Sequence, residues 1–537
     1  MSILTHKMLI FSVIFSVILL TFGAHSDLQG QSSPKVALTG GKIITVSGAP
    51  IDGGTILIED GIIQAVGDGG MAIPYDAMEV DCTGMILAPG FVDAHNPGGL
   101  DIPNENLAVA PFVDVFDAID PSRFFFEEAL RNGVTTVHVM QGNNCVVGGV
   151  SRVVHPIGLS PDEMTRLPGL ALKMSSSPKG GYDRLRHRAE LRGVFSEFDR
   201  WHSDLSETRY DQESEKNEDL NPLPPEEARE EGKALIREED LDDRHRHLAY
   251  LNDGRLAAWI HCGAATDVAP ALDMIEKRGW TGRAVLVLSG DAHVAVNEIA
   301  ASKVPVVLGA DLIHRERDLI TGDVEETFIP EVFRKKGVPF AIQVGSSNVL
   351  PERYLNYQAA RLVRNGLSPE KAMRTITLGA AEICGVADHY GSIEKDKAAN
   401  IVMWTGDPLE MTSWVQKVWI EGQLAYDREK DARLERLFPE MPEEDAEKSE
   451  PLSDEASTDE EPMPAETGES AVDSDAVESG DKEADEAQPE PLNKDKKSQD
   501  SEAEPAPAPK PAPAPKPAPV PKPEPAPGID SGIKGGL

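Results

Sequence analysis

Short apolar runs and turn residues alternate along the first part of this chain. Between residues 35 and 90, β-branched and aliphatic residues are separated repeatedly by glycine and aspartate. Glu59-Asp60-Gly61 has the composition of a hairpin turn. Residues 391–427 return to the same pattern after a long interval. We predict that these two segments form one composite β-sandwich.

The pattern between these two segments, over residues 91–390, is different. Apolar strands alternate there with helical stretches, most clearly from Leu256 to Ser347. Strands that are apolar on both faces and alternate with helices are typical of a parallel sheet covered on both sides. The repetition favours the α/β class and a (β/α)8 TIM-like barrel over an open sheet. Small or polar residues follow each strand, where the mouth of a barrel would lie.

Two segments lack the periodicity of a packed core. Residues 204–247 are rich in Glu, Asp and Arg, and we expect a solvated, partly helical acidic insertion in the barrel. Residues 440–537 carry 27 acidic and 9 basic residues, and their last part repeats Pro-Ala-Pro-Lys. This composition predicts a disordered tail that is extended where it is rich in proline. The tail would be either a tether to an envelope partner or only a solubilising extension.

The first 26 residues predict export. Lys7 gives a weakly positive start, and the apolar run over residues 8–22 is short for a membrane span. Ala24-His25-Ser26 is compatible with removal of a signal peptide. The alternative is an uncleaved N-terminal membrane anchor. We therefore expect a periplasmic or extracellular protein.

Charge and cysteine content narrow the classes of partner and site. The formal net charge of −39 argues against nucleic acid, because phosphates would be repelled. The cysteines are far apart and form no Cys-x-x-Cys pair, so a zinc knuckle is unsupported. Export would permit disulfides, but we prefer four buried free thiols. The four are Cys82, Cys145, Cys262 and Cys384.

A series of short motifs occurs in order between residues 35 and 427. Together the motifs resemble the amidohydrolase superfamily, near its imidazolonepropionase-like members. The resemblance implies a barrel flanked by a small β domain, and a hydrolase that acts on carbon–nitrogen (non-peptide) bonds of a small molecule. The motifs are Gly41-Lys42-Ile43-Ile44-Thr45, Glu59-Asp60-Gly61-Ile62-Ile63, Leu87-Ala88-Pro89-Gly90-Phe91-Val92-Asp93-Ala94-His95, Asn132-Gly133-Val134-Thr135-Thr136-Val137, Gly366-Leu367-Ser368-Pro369-Glu370, Gly391-Ser392-Ile393-Glu394 and Gly406-Asp407-Pro408-Leu409.

The resemblance also implies a metal site at the barrel mouth. Members of the family bind one or two divalent ions, such as zinc, through a His-x-His pair, further histidines and an aspartate; some add a carboxylated lysine. His95 and His261 match family histidines and are the predicted metal ligands. Pro97, Gly263 and Ser347 stand where other ligands are expected, so the ligand set is degenerate. Because a catalytic zinc normally keeps three protein ligands, the divalent metal is either held by a rearranged centre or absent.

Other polar residues lie near predicted strand ends. Each is either a site-lining residue, in some cases a substitute ligand, or an ordinary surface or core residue. Lys173 ends an apolar run and is a site-lining candidate. The further candidates are Asp291, His293 and Asp311, together with His314 and, within the second barrel strand, His138.

Two functions stay open at the level of sequence. The first is an amidohydrolase-like enzyme with an altered centre. The second is a catalytically inactive barrel that binds a small ligand or a partner in the exported compartment. The missing ligands at separate strands favour loss of the usual chemistry, whereas the motifs favour the hydrolase family. No motif indicates the substrate or the oligomeric state.

Overall fold

Two large sheets organise the part of the chain that the structure describes. The computed structural model describes residues 35–104, 106–217, 220–344 and 354–437. The predicted signal peptide, Ser347 and the predicted tail lie outside the described residues.

The strands of the described residues range in length from 3 to 11 residues. They are β1 (Val36–Ile43), β2 (Ile51–Glu59), β3 (Ile62–Gly67), β4 (Met78–Asp81), β5 (Ile86–Pro89), β6 (Phe91–Asn96), β7 (Val134–Val139), β8 (Val147–Val154), β9 (Thr165–Ser175), β10 (Ala257–Cys262), β11 (Ala284–Leu288), β12 (Val306–Leu308), β13 (Ile313–Arg317), β14 (Val324–Phe328), β15 (Phe340–Ile342), β16 (Ile401–Trp404), β17 (Val415–Ile420) and β18 (Gln423–Asp427).

The helices follow the barrel strands for the most part. They are α1 (Phe124–Arg131), α2 (Pro161–Met164), α3 (Arg184–Lys216), α4 (Pro225–Gly232), α5 (Asp243–Asn252), α6 (Ala265–Lys277), α7 (Val296–Ser302), α8 (Ile329–Lys336), α9 (Leu355–Arg364), α10 (Pro369–Thr375), α11 (Leu378–Ile383) and α12 (Ala432–Leu437). None of these described helices combines the length and apolar character needed to cross a membrane.

The two β-rich flanks form one continuous eight-stranded sheet. Its order is β18-β17-β16-β5-β1-β2-β3, and β4 pairs in parallel with β1. The flanks meet where β5 pairs with β16 in antiparallel register. Asp60 and Gly61 both have positive φ, as a tight two-residue hairpin turn requires. The turn sets the register of β2 against β3.

The second sheet is the barrel, in the order β15-β12-β11-β10-β9-β8-β7-β6. Its terminal strands β15 and β6 contact each other, so the barrel is nearly closed. All neighbours are parallel except β8, which is antiparallel to both β7 and β9. The prediction of a regular (β/α)8 repeat is therefore wrong at this strand. The connections on either side of β8 are too short for a parallel crossover, which needs a dozen or more residues.

The centre of the barrel is apolar below its mouth. Inward-facing side chains such as Val92, Trp259 and Val287 form one buried cluster, to which Ala380 and Ala381 of α11 contribute. His138 lies beside Trp259 in this layer, and the polar cluster described below lies towards the carboxyl ends of the strands.

Gly90, immediately before β6, allows the first barrel strand to lie close against its neighbour. A Cβ atom at Gly90 would overlap the Thr135 side chain of β7. This position therefore requires glycine for steric reasons.

The polar insertion begins earlier than the sequence suggested. Helix α3 has 33 residues and starts at Arg184, where the Asp183 carboxylate accepts a hydrogen bond from the Arg186 N–H. Phe195 and Phe198 of α3 are buried against the barrel's outer core. Residue 204, where the predicted insertion starts, lies inside α3, and the sparse apolar positions among many charges gave no sign of the packed face before it.

Candidate functional site

A cluster of polar side chains lies at the carboxyl ends of four barrel strands. His95 lies next to the end of β6, Lys173 lies near the end of β9, His261 lies near the end of β10, and Ser289 follows β11. His95, Lys173 and His261 are buried. The parallel direction of β6, β9, β10 and β11 brings these ends to one face of the barrel, where TIM-like barrels build their sites.

Lys173 is the most deeply buried charged group of this cluster. Its Nζ lies 2.8 Å from His95 Nε2 and donates a hydrogen bond of 2.7 Å to Asn143 Oδ1. Burial lowers the pKa of Lys173 to about 8. The amine is therefore close to its titration midpoint in mildly alkaline solution.

His95 is held in its neutral form. Burial, reinforced by the nearby charge of Lys173, keeps the pKa of His95 well below its usual range. When Nε2 accepts a hydrogen bond from Lys173, the ring proton resides on Nδ1. Within the described residues, His95 Nδ1 is buried and has no hydrogen-bond partner. The unmatched Nδ1 donor is unusual, since buried polar atoms are nearly always paired.

His261 faces a serine. Its Nε2 lies 2.9 Å from Ser289 Oγ, and its Nδ1 lies 3.5 Å from Ser175 Oγ. Burial, with a smaller contribution from Lys173, lowers the pKa of His261 to about 3. The ring is therefore neutral over the whole physiological pH range and can accept a hydrogen bond from the Ser289 hydroxyl.

His138 is a satisfied core histidine. Its Nδ1 donates to the Ala94 carbonyl (2.9 Å), and its Nε2 accepts from Ser151 Oγ (2.6 Å). The ring also lies edge-on to Trp259, with 4.6 Å between centroids. Burial lowers the pKa of His138 to about 4. Its two ring nitrogens are occupied, so it has no free position for a ligand.

The other candidates past the strand ends do not join the cluster by any described hydrogen bond. Asp291 is exposed and accepts from the Ala265 N–H, which fixes the start of α6. His293 is buried and its ring lies 4.9 Å from that of His314. Asp311 is exposed. These residues form the outer rim of the barrel mouth.

The described side chains do not fit a catalytic zinc ion. No group of three or more His, Cys, Asp or Glu residues in the described ranges is arranged to hold a metal. His95 Nε2 faces an amine that, when protonated, repels cations. Pro97 and Gly263 have no ligating side-chain atoms. Two histidines with such neighbours fall short of the three protein ligands of a catalytic zinc site.

A cavity of about 650 Å³ opens beside β6. Asp93, Asn96 and Pro97 contribute to its wall. Asp93 Oδ2 accepts a hydrogen bond of 2.6 Å from Asn96 Nδ2, whereas Asp93 Oδ1 has no partner within the described residues. Burial raises the pKa of Asp93 to about 7. The cavity has the size of a small-molecule pocket.

Three residues of the cluster were missed by sequence reasoning. Asn143 lies in the glycine-rich stretch between β7 and β8, and Ser175 and Ser289 lie at strand ends. Their position after apolar strands is the one signal that could have identified them. Serine and asparagine are also frequent in ordinary loops, so the signal is weak.

Comparison with known proteins identifies the family. A solved amidohydrolase from Thermotoga maritima MSB8 superposes with a TM-score of 0.59 and 26% identity, over 73% of this chain and all of that chain. A model of the amidohydrolase family matches residues 283–425. The chain belongs to the amidohydrolase superfamily. The resemblance drawn from the sequence motifs is thereby confirmed.

Curated relatives of this chain match over shorter stretches. The imidazolonepropionase of Pseudomonas savastanoi pv. phaseolicola is 34% identical over 99 residues, which cover 17% of this chain and 24% of that protein. An amidohydrolase of Hapsidospora irregularis is 30% identical over 86 residues, or 16% of this chain and 9% of that protein. The chain thus spans about a quarter or less of the length of these relatives.

Proposed function

We propose that this amidohydrolase-superfamily protein hydrolyses a carbon–nitrogen bond, other than a peptide bond, in a small molecule at the barrel mouth. The observation that carries the proposal is the convergence of Lys173, His95, His261 and Ser289 at the carboxyl ends of the strands. Imidazolonepropionase, the activity named for several relatives, supports this class of reaction.

The cluster contains groups suited to acyl chemistry. Below a pH of about 8 the Lys173 ammonium, in a buried setting, would stabilise negative charge on a substrate carbonyl oxygen. Ser289 and His261 lie within hydrogen-bond distance, as a nucleophile and its proton acceptor must. The donor set of the described residues supplies no step through a metal ion.

A second candidate is a barrel that binds a small ligand without catalysis. The contact of Lys173 with His95 favours this non-catalytic function. The lysine amine already engages His95 Nε2, which is the ring nitrogen that faces the cluster. The low pKa of His261 points in the same direction, since it makes the ring a weak base.

Turnover assays distinguish the two functions. The purified full chain is incubated with a panel of cyclic amides and imides, with chelator and with added Zn²⁺. We expect hydrolysis of at least one compound, and a loss of about 100-fold or more in Ser289→Ala and in Lys173→Met. Ser196→Ala and Lys336→Met, both at exposed helical positions, are the matched controls and should keep full activity. Binding of a panel compound without hydrolysis under either metal condition would instead establish the non-catalytic function.

We also propose that the protein is exported, with residues 1–26 as its signal and the tail from residue 440 as a tether to an envelope partner. The apolar N-terminal run and the Pro-Ala-Pro-Lys repeats support this proposal. We further propose that the two segments that form the flanking sheet, residues 35–90 and 391–427, make up one composite domain beside the barrel. Fractionation of cells that express the full chain or a variant lacking residues 1–26 tests the export, and cytoplasmic recovery of both forms would contradict it.

A further inference from the structure

A recess of about 790 Å³ lies at the end of the barrel opposite to the polar cluster. It is bordered by the amino ends of β10, β11, β12 and β15, for example at Ala257, Ala284 and Phe340. Leu170 and Phe340, both partly exposed, contribute apolar surface to its wall. The recess is within the range of volumes that bind small molecules.

The rim of the recess is strongly basic. Five cationic side chains line it against one carboxylate, Glu382. Two of the cations are neutralised locally, because Arg334 pairs with Glu331 at 2.5 Å and Arg374 pairs with Glu382 at 2.5 Å. The five cations are Arg283, Lys303, Arg334, Lys371 and Arg374.

Within the described residues, no direct ion pair joins the remaining three cations to a carboxylate, and the charge of Asp253 acts on Arg283 only at longer range. The Arg283 guanidinium donates to the backbone carbonyls of Leu251, Leu256 and Asn252. Lys303 and Lys371 are exposed and form no described ion pair or side-chain hydrogen bond. Such a local surplus of positive charge is notable on a chain whose net charge is −39. This surplus of positive charge would attract an anion.

We propose that this recess binds a small organic monoanion, in which a single carboxylate is attached to an apolar chain or ring. The apolar part would contact the wall that includes Leu170 and Phe340, and the carboxylate would interact with Lys303 and Lys371 at the rim. A concave recess of this volume matches a small amphipathic molecule. Nucleic acid is disfavoured, because the net charge of the whole chain repels phosphates. This site is separate from the mouth, so it does not depend on the proposed hydrolysis.

Decanoate is the probe, titrated calorimetrically into the full chain below the concentration at which it forms micelles. Decanol has the same chain without the charge, and acetate has the charge without the chain. We expect saturable binding of decanoate, weakening with added salt, and at least tenfold weaker binding of either comparison compound. Equal binding of decanol, or no saturable binding of decanoate, would overturn the proposal.

A pair of variants places the binding site. Lys303→Gln combined with Lys371→Gln should weaken decanoate binding about fivefold, because each exposed charge contributes modestly. Lys42→Gln combined with Lys216→Gln removes the same total charge from exposed positions outside the recess and should leave the affinity unchanged. If both double variants bind decanoate as tightly as the native chain, the anion binds elsewhere and the proposal is wrong. All four lysines are exposed, so neither double variant should affect folding.

Discussion

At the scale of single residues, Lys173 dominates the electrostatics of the barrel mouth. Its charge adds to burial in lowering the pKa of His95, His138 and His261. The amine is itself destabilised as a cation, which is why its own pKa falls to about 8. The cluster therefore combines neutral histidines with a lysine that can be charged or neutral near physiological pH.

Because of Lys173, the free energy of unfolding should increase measurably as the solution becomes more alkaline. The lysine pKa is 10.5 when unfolded and about 8 when folded. Between these values the unfolded chain binds more protons, so the free energy of unfolding rises with pH through this window, by about 3 kcal/mol in total. Denaturant unfolding of the native chain and Lys173→Met from pH 7 to 10.5 measures the effect. A constant difference between the two proteins across this range would contradict the buried, titrating amine.

Gly90 should tolerate no side chain. In Gly90→Ala the new methyl group would overlap Thr135, and we expect a loss of about 2–3 kcal/mol in the free energy of unfolding. Gly193→Ala is the matched control, because Gly193 lies inside α3 and a Cβ there meets nothing within 4 Å. The control should gain up to about 1 kcal/mol from helix propensity. Equal stabilities in a denaturant titration would show that the first two barrel strands are farther apart than described.

At this residue scale the sequence located part of the cluster. His95 and His261 were predicted because they match family histidines near the ends of apolar strands, and Lys173 was predicted because it ends an apolar run. Asn143 and Ser289 were not, because a serine or asparagine after a strand is as common in a turn as in a site. Which polar residues approach Lys173 depends on strand order, and a linear pattern does not contain that information.

At the scale of elements, one ion pair connects the barrel to the segment after the flanking sheet. Arg131, the last residue of α1, donates to the Asp431 carboxylate from Nε at 2.7 Å and from Nη2 at 3.1 Å. Tyr426 of β18 also donates to it, at 2.9 Å. The Asp431 side chain is only 2% exposed. The contact therefore joins elements separated by 300 residues of sequence.

Removal of this carboxylate should loosen the connection. Asp431→Asn is expected to lower the free energy of unfolding by about 2 kcal/mol, since charge-assisted hydrogen bonds are among the strong ones. Arg131 holds the pKa of Asp431 below its usual value of 3.8, so this contribution is present above that pH and is lost as the pH falls further. Asp253→Asn disrupts an exposed pair with Arg255 and should change stability by less than about 0.5 kcal/mol. Thermal unfolding of the native chain and of both variants is measured at pH 7 and at pH 3. At pH 7 the loss of stability in Asp431→Asn should exceed that in Asp253→Asn, and equal losses in the two variants would contradict the prediction.

Most strands and helices can be predicted from the local pattern of apolar and polar residues, whereas the direction of each strand and the ends of each helix cannot. The strands alternating with helices between β9 and β15 were predicted because each is a short apolar run bounded by turn residues. The antiparallel direction of β8 was not, because a buried strand has the same composition in either direction. Ser368 occupies the N-cap position of α10, with Pro369 in the first turn, but its side chain forms no capping hydrogen bond. The helix ends at Thr375, and the chain becomes helical again only at Leu378, in α11.

At the scale of the whole molecule, one barrel separates two different chemical environments. The carboxyl ends of the strands carry the buried cluster around Lys173, and the amino ends carry the basic recess around Lys303 and Lys371. The sequence indicated the first end, because strand-terminal residues can be recognised in a known fold class. It could not indicate the second, since the basic residues that meet there are spread over many loops and helices.

The described residues at the mouth offer too few ligands for a catalytic zinc ion, and this has a consequence for the whole molecule. We expect no stoichiometric divalent metal in the purified protein, and a chelator should leave the melting temperature unchanged to within about 1 °C, because a ligand that does not bind cannot stabilise. Elemental analysis and thermal scans with and without chelator provide the measurement. Stoichiometric zinc that disappears in His95→Ala would show that a rearranged metal centre exists.

The four cysteines are free and buried in separate parts of the fold. Cys82 belongs to the core of the flanking sheet, Cys262 to the outer core of the barrel, and Cys384 to its inner core. Burial raises the pKa of the Cys82 and Cys145 thiols to about 11, so a thiolate forms only where the surrounding structure opens. The rate at which an alkylating reagent modifies each thiol therefore reports how readily the part of the fold around that cysteine opens. These native cysteines are built-in reporters of whether sheet and barrel unfold together.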